Sequence, residues 1–434
     1  MTRKQAEPLE SLMMNVRAGR MNRRIFLERA VALGVSSSAA LTLLDACGGA
    51  SSSTGASSGP VTLTLWDYYN PPAKGYLSLI DGYTKVNPSV KIQHTTIPFA
   101  DLKQKLLQGV ASGQLPDIIL IDNPDHSTFA SNGVMADLTE QVKAWGQADQ
   151  YFPGPWKSTI WKGKNYGIPN NSNCLALYYN KDMFKQAGVT PPTNWDELHS
   201  TSKKLVKKGV YGFSMSLVKS EEGTFQFLPF LWEAGADLDT IDSPAAISAL
   251  QYLVTSVKEG LLSSESLNWT QQDAITQFIG QKAAMSVNGP WNLPATRQGA
   301  KFQWGVVPLP KGQQSASILG GENWAISSTS KHLNEAWAFL TWTQQAAQLK
   351  SYLVPDAKFP SRQDFAKDAA FQSDANLAVF SNALATAKPR AYGPNYPKIS
   401  NAVQQAFQSA ISGQMSAADA LKQAAQTIKP LLAS

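Results

Sequence analysis

Four acidic residues are the nearest candidates for catalysis, namely Glu221, Glu222, Glu233 and Asp237. A glycoside-active enzyme needs two carboxylates about 5–10 Å apart across a cleft, and the sequence leaves that alternative open. Adjacent acids in a turn, however, are usually just solvated. The sequence contains no Walker loop, no G-x-S-x-G and no HExxH motif. We therefore expect a protein that is not an enzyme.

Histidine, cysteine and basic residues indicate no metal, cofactor or nucleic acid. The four histidines, at positions 94, 126, 199 and 332, lack metal-ligand spacing. Cys174 lies beside an apolar run and is expected to be a small buried filler. The formal net charge is +6, but no block of basic residues interleaves with aromatic residues as a nucleic-acid groove requires.

The first 46 residues have the pattern of an export signal. Arg23 and Arg24 form a twin-arginine pair, and an apolar run of small residues follows from Ala30 to Ala46. A membrane-spanning helix needs about 20 residues, and this run is shorter. A charged region, a short apolar run and a small residue before a cleavage site are typical of a signal peptide. The pattern predicts a Tat-like lipoprotein signal over residues 1–46.

Cys47 is the predicted lipidation site. Leu44 to Cys47 resembles a lipobox, in which the cysteine carries the lipid and becomes the mature N-terminus. The Ser/Gly-rich residues 47–60 have the composition of a flexible tether. We expect an extracytoplasmic protein anchored to the cell membrane by this lipid, and an uncleaved signal anchor is the alternative.

Strand and helix patterns alternate from residue 61 onward. Residues 61–66 alternate as a strand, residues 90–96 form a second strand, and residues 101–112 form a helix with one apolar face. The unbroken apolar run at 118–121 suits a parallel strand covered on both faces. This alternation predicts an α/β fold.

Residues 161–198 are the most informative stretch. A buried strand is predicted at 175–179, followed by a short helix at 181–187 that Asn180 caps and Gly188 ends. Thr193 is predicted to open the next helix, and Ser330 a later one.

Three motifs in this stretch carry a family resemblance: YGIP, then LYYNKDMF, then AGV-PP-NWDEL, in register. SG-x-x-PDII near residue 115 and FIGQKAAM with GPW at 278–291 extend it over residues 61–434. The chain resembles the family 1 extracellular solute-binding proteins, the sugar-binding subunits of ABC importers, with maltose-binding protein as a distant relative. The resemblance implies a monomer that captures a mono- or oligosaccharide and delivers it to ABC permease subunits.

The resemblance also implies a two-lobed periplasmic-binding-protein fold, each lobe a mostly parallel sheet flanked by helices, joined by a multi-segment hinge. We expect lobe 1 to comprise 61–168 and 319–365, and lobe 2 to comprise 169–318 and 366–434. Crossovers are expected near 167–171, 313–319 and 362–372. The ligand is then expected between the lobes.

Sugars are bound by aromatic faces that pack on C–H faces and by planar polar groups that bond hydroxyls. Trp291 is the leading candidate, because the matching tryptophan of maltose-binding protein stacks on the sugar, and Asn173 stands where that relative has a sugar-binding carboxylate. The expected ligand contacts are Tyr68, Asp122, Asn173, Phe225, Trp232, Trp291, Trp324 and Tyr392.

Two alternatives to a neutral sugar remain open. One is a different ligand, namely another polyol, a glycerol phosphate or an aminosugar. An anionic ligand among these would need convergent Arg or Lys side chains. Arg362 and Arg390 are the arginines near predicted crossings. The other is the glycoside-active enzyme.

Replacing Cys47 with Ser tests the lipid anchor. We expect the variant to move into the soluble fraction or to stay unprocessed, because the serine cannot accept the lipid. Membrane fractionation and gel mobility measure this. Unchanged partition and mobility would contradict lipidation. Replacing both Arg23 and Arg24 with Lys is expected to block export, and normal export would instead indicate the general secretory route.

Overall fold

The computed structural model describes residues 60–69, 74–372 and 374–433. Arg23, Arg24 and Cys47 lie outside the described residues. Among the described helices, none combines the length and the apolar character needed to cross a membrane. The strands in chain order are β1 Val61–Asp67, β2 Val90–Thr96, β3 Ile118–Asp122, β4 Ile160–Trp161, β5 Lys164–Asn165, β6 Ile168–Pro169, β7 Ala176–Asn180, β8 Tyr211–Ser214, β9 Ala283–Asn288, β10 Trp304–Val307, β11 Ile318–Leu319, β12 Glu322–Ile326 and β13 Lys388–Pro389.

Helices connect most of these strands and cover the sheets. They are α1 Lys74–Val86, α2 Phe99–Ser112, α3 His126–Ser131, α4 Thr139–Trp145, α5 Pro153–Ser158, α6 Lys181–Ala187, α7 Trp195–Leu205, α8 Glu221–Glu233, α9 Pro244–Lys258, α10 Gln271–Ile279, α11 Leu293–Gly299, α12 Leu333–Thr343, α13 Ala346–Leu353, α14 Gln363–Ala366, α15 Ala375–Leu384, α16 Tyr396–Ile411 and α17 Ala417–Leu432.

The first sheet has five strands in the order β2-β1-β3-β12-β6. Strand β1 pairs in parallel with β2 and β3, whereas β12 pairs antiparallel with both β3 and β6. Four strands therefore run in one direction and β12 runs against them. The reversed strand is the one by which the chain returns from the second sheet.

The second sheet has four strands in the order β10-β7-β9-β8. Strands β8 and β9 are parallel, and β7 is antiparallel to both β9 and β10. Again one strand is reversed, and it is the first strand that the chain forms in this sheet. The α/β class and the two-lobed fold are confirmed.

Successive side chains of the buried strands point to opposite faces of the sheet, so each sheet has an apolar core on both faces. In β3, Ile118 and Leu120 join one apolar cluster, while Ile119 and Ile121 join another. In the second sheet, Leu177 packs on one side and Tyr178 on the other. Helices must therefore cover both faces, as expected for strands that are apolar throughout.

The segments between the two sheets are held together by backbone pairing. Isolated bridges join Ser172 to Phe359 and Asn173 to Gly320. Gly321 has φ 135° and lies so close to the neighbouring segment that a Cβ would be 2.1 Å from the carbonyl oxygen of Asn171. Only glycine fits this close approach. The exact lobe boundaries stay a prediction.

Two predicted helix caps are wrong in detail. Asn194, not Thr193, is the N-cap of α7, because its side chain accepts from the backbone N–H of Glu197. Thr193 instead bonds to the Glu197 carboxylate. Ser330 precedes the start of α12 by three residues and donates to Asp117, while His332 occupies the cap position without a side-chain bond.

Asn180 is the N-cap of α6 and accepts two backbone hydrogen bonds, so we expect it to stabilise the fold. Its side-chain oxygen accepts from the backbone N–H groups of Asp182 and Met183, both at 3.0 Å. We expect Asn180→Ala to lower the free energy of unfolding by about 1–2 kcal/mol, measured by urea denaturation. Asn194→Ala, which removes a cap with one backbone bond, is the matched control and should cost less. Equal stability of the Asn180 variant and the wild type would contradict the prediction.

Candidate functional site

Asp122 lies at the end of the central strand of the first sheet and is buried. Both of its carboxylate oxygens accept hydrogen bonds from the Arg390 guanidinium, each at 2.9 Å. Such a bidentate pair fixes both side chains geometrically. Arg390 follows β13, the short strand that pairs with β11 beside the crossing segments.

The same guanidinium also binds Glu221, the first residue of α8 in the second core. Arg390 Nη1 lies 2.6 Å from Glu221 Oε1. Glu221 further accepts from the hydroxyl groups of Tyr396 and Ser400. Arg390 is 3 % exposed and thus joins the two lobes through an ion-pair triad shielded from water.

The electrostatics of the triad are uneven, because two carboxylates share one cation. Glu221 has two hydroxyl donors besides Arg390, whereas Arg390 is the one side-chain donor to the Asp122 carboxylate among the described residues. Burial raises the pKa of Asp122 to about 7, although Arg390 opposes the shift and Glu221 and Asp125 add to it. The pKa of Asp122 therefore lies nearer to neutral pH than that of a solvated aspartate.

A second polar group adjoins the triad on β12. The Tyr68 hydroxyl donates to Glu322 Oε1 at 3.0 Å, and Lys358 Nζ lies 3.6 Å from Glu322 Oε2. Lys358 also sits over the Tyr69 ring, 3.4 Å from its centroid. Burial lowers the pKa of Lys358, and the negative charge of Glu322 partly offsets this by raising it.

Two buried acceptor oxygens at the junction have no hydrogen-bond donor in the described part of the chain. They are the side-chain oxygens of Asn171 and Asn173, whereas Glu322 Oε2 forms the ion pair with Lys358. Asn173 is pinned by two backbone hydrogen bonds to Gly320, and a Cβ on that glycine would lie 2.1 Å from its side-chain oxygen. Buried acceptors usually have a donor, so these oxygens are suited to a ligand that supplies hydroxyl groups.

Aromatic faces complete the junction. The Arg390 guanidinium carbon lies 4.6 Å from the Phe225 ring centroid, and the rings of Phe225 and Trp291 are 6.2 Å apart. Trp291 is half-buried, and its indole folds back over Gly289 so closely that a Cβ there would overlap the ring. We name the junction site as Asp122, Arg390 and Glu221 with Glu322, Asn173, Phe225 and Trp291.

The other predicted contacts are placed differently. Trp324 is fully buried in the first core, where it stacks on Tyr76. Trp232 is 1 % exposed and donates to Asp237. Tyr392 is partly exposed and donates to the same carboxylate. Neither Trp324 nor Trp232 offers a ring face in this structure, because each fills a core, so we leave both out of the junction site.

Two of the acidic residues, Glu221 and Glu233, are buried and not solvated as expected. Glu221, expected to be solvated, is buried against Arg390, and Glu222 accepts from the backbone N–H of Gln271. Glu233 is buried and accepts from Trp195, and burial raises its pKa well above the ordinary value. Among the described residues, no group of three His, Cys, Asp or Glu side chains could hold a metal ion.

Comparison with known proteins decides the family. A model of the bacterial extracellular solute-binding proteins matches residues 78–379. The chain belongs to this family. A lactose-binding protein of Rhizobium radiobacter is 26 % identical to this solute-binding protein over 66 % of the chain and 71 % of the relative.

Solved structures agree with the fold. A solute-binding protein of Thermotoga lettingae, bound to α-D-tagatose, is 26 % identical with a TM-score of 0.80, over 86 % of this chain and all of that one. The GacH receptor of Streptomyces glaucescens, solved without ligand and with acarbose, is 26 % identical with a TM-score of 0.78, over 86 % and 98 % of the two chains.

The raised pKa of Asp122 predicts a pH effect on the solute-binding protein. Its ordinary pKa is 3.8 and its folded pKa about 7, so the folded state binds the extra proton between these values. The free energy of unfolding that this proton contributes is lost as the pH rises through 7. Asp122→Asn, which stays neutral, should therefore gain stability relative to the wild type as the pH rises from 4 to 7.

Melting curves at a series of pH values measure the difference. Asp242→Asn is the control, because Asp242 forms an exposed pair with Lys429 that lowers its pKa. That control should show no gain with rising pH in this window. If the wild type instead becomes more stable than Asp122→Asn as the pH rises, the effect of Arg390 on the Asp122 pKa outweighs the effect of burial.

Proposed function

We propose that this solute-binding protein captures a neutral sugar between its two lobes and delivers it to an ABC permease. The observation that carries the proposal is the pair of buried side-chain oxygens of Asn171 and Asn173, which have no donor among the described residues and lie at the junction with the rings of Phe225 and Trp291. Sugar hydroxyls would donate to the oxygens while C–H faces pack on the rings.

The charges at the junction argue against an anionic ligand. Arg390 is engaged by Asp122 and Glu221, and Lys358 by Glu322. Arg362, the other arginine considered, is bonded to Asp364 and Gln147. Arg390, Lys358 and Arg362 are thus not left free to bind phosphate or carboxylate. Because carboxylates outnumber cations in the triad, a cationic aminosugar is the second candidate.

The relatives support the sugar class. A lactose-binding protein, a tagatose-bound protein and an acarbose receptor share the family fold with this chain. Their different ligands on one fold support the proposal that side chains at the junction select the sugar. A glycoside-active enzyme is the alternative that turnover assays test.

Binding is proposed to close a hinge. Lobes 61–168 with 319–365 and 169–318 with 366–434 would turn about the crossing segments, and the ligand would bias closure by touching both. The permease would then recognise the closed shape. We further propose that a Tat-like signal and the lipid on Cys47 hold the protein, as a monomer, at the outer face of the membrane.

Calorimetry with lactose, maltose, tagatose, acarbose and glucosamine tests the proposal. We expect one of them to bind, and Trp291→Ala to lower its affinity by at least about tenfold through loss of a stacking face. Trp161→Ala is the control, because Trp161 is partly exposed and outside the junction site. Retained affinity with a lower melting temperature would make Trp291 a core residue instead.

Small-angle scattering and chromatography extend the same test. The radius of gyration should fall when the cognate sugar is added, and an unchanged profile at saturation would favour a preformed pocket. Incubation with oligosaccharides should leave them intact. The purified wild type could instead cleave them, and Asp122→Asn or Glu221→Gln could abolish that cleavage. This result would contradict the receptor proposal and support the glycoside-active enzyme.

A further inference from the structure

A cavity of about 580 Å³ lies on the first lobe and shares no lining residue with the junction site. It opens between the end of α1, the end of α4 and helix α12. Its volume is within the range of small-molecule sites. The side chains that matter here are Tyr83, Trp145, Gln147, Trp342, Gln345 and Phe365.

Aromatic side chains form the rigid part of the cavity. The rings of Tyr83 and Trp342 meet edge-on with centroids 5.2 Å apart, and those of Trp145 and Trp337 do so at 5.9 Å. Trp145 and Trp342 are each partly exposed. Edge-on packing holds both indoles in place, so a ligand that stacks on them would not have to order them first.

Three donor groups of the cavity, on Gln147, Trp145 and Trp342, have no partner in the described part of the chain. Arg362 is fixed by two hydrogen bonds to Asp364 and donates to Gln147 Oε1 at 2.6 Å. This bond orients the Gln147 carboxamide, whose NH₂ group has no partner among the described residues. The indole N–H groups of Trp145 and Trp342 likewise lack a partner in the described part of the chain.

We propose that this cavity is a second binding site for a neutral saccharide, independent of the junction site. Indole faces with free N–H and amide donors match the C–H faces and hydroxyl oxygens of sugar rings. Among the described lining residues, Arg362 carries the charge, and Asp364 neutralises it. That leaves no unpaired charge to select an ionic ligand. Such a site would hold sugar at the surface of the first lobe.

Indole N–H resonances of the ¹⁵N-labelled full chain test the proposal. Trp145→Phe and Trp342→Phe assign the two signals. We expect both signals to shift saturably with millimolar maltose or lactose, in the wild type and equally in Trp291→Ala. Trp342→Ala should weaken this binding at least about tenfold. The Trp161 indole, partly exposed but outside the cavity, should not move and serves as an internal control.

Three results would overturn the second site. The first is that neither indole signal shifts with either sugar. The second is that the Trp161 signal shifts in parallel with them. The third is that a proline-rich peptide shifts the two signals and the sugars do not. The wild-type titration decides even if Trp342→Ala does not fold. Loss of junction binding in Trp291→Ala with retained shifts at Trp145 and Trp342 would separate this site from the proposed receptor function.

Discussion

The buried guanidinium of Arg390 is the constraint on which the junction depends. Removing a charge from water costs several kcal/mol unless partners surround it, and here the partners come from both lobes, Asp122 from one and Glu221 from the other. The lobes can therefore meet at this point only with all three groups in register. If they part, water must replace each partner, so lobe contact and ion pairing are coupled.

The sheets explain why the polar groups collect at the junction. Both sheets have apolar clusters on their two faces, so the buried charged side chains lie at the ends of strands and helices and in the crossing segments. The reversed strands β7 and β12 are those next to the crossings, and they bring Asn173 and Glu322 to the same place. The close approach at Gly321 lets the backbones touch there.

Aromatic residues differ in whether they fill a core or border the polar groups of the junction. Trp324 and Trp232 fill cores and contribute packing, whereas Trp291 is half-buried and Phe225, although part of the second core, borders the Arg390 guanidinium. A large ring in a core stabilises the fold by its buried area, while a ring beside unpaired acceptors is placed to bind. Solved relatives that are 26 % identical keep the fold and were solved with different ligands, tagatose and acarbose.

The sequence by itself determined the local structure. The strand at Ile118–Asp122 and the helix that Asn180 caps and Gly188 ends follow from neighbouring residues, because apolar runs and capping bonds act over a few positions. Only the tertiary structure decided the partners of Arg390, since Asp122 lies 268 residues away and neither side chain reveals the other. The burial of Trp324 and Glu221 was decided in the same way, because burial depends on which elements pack across a residue, and no local pattern records that.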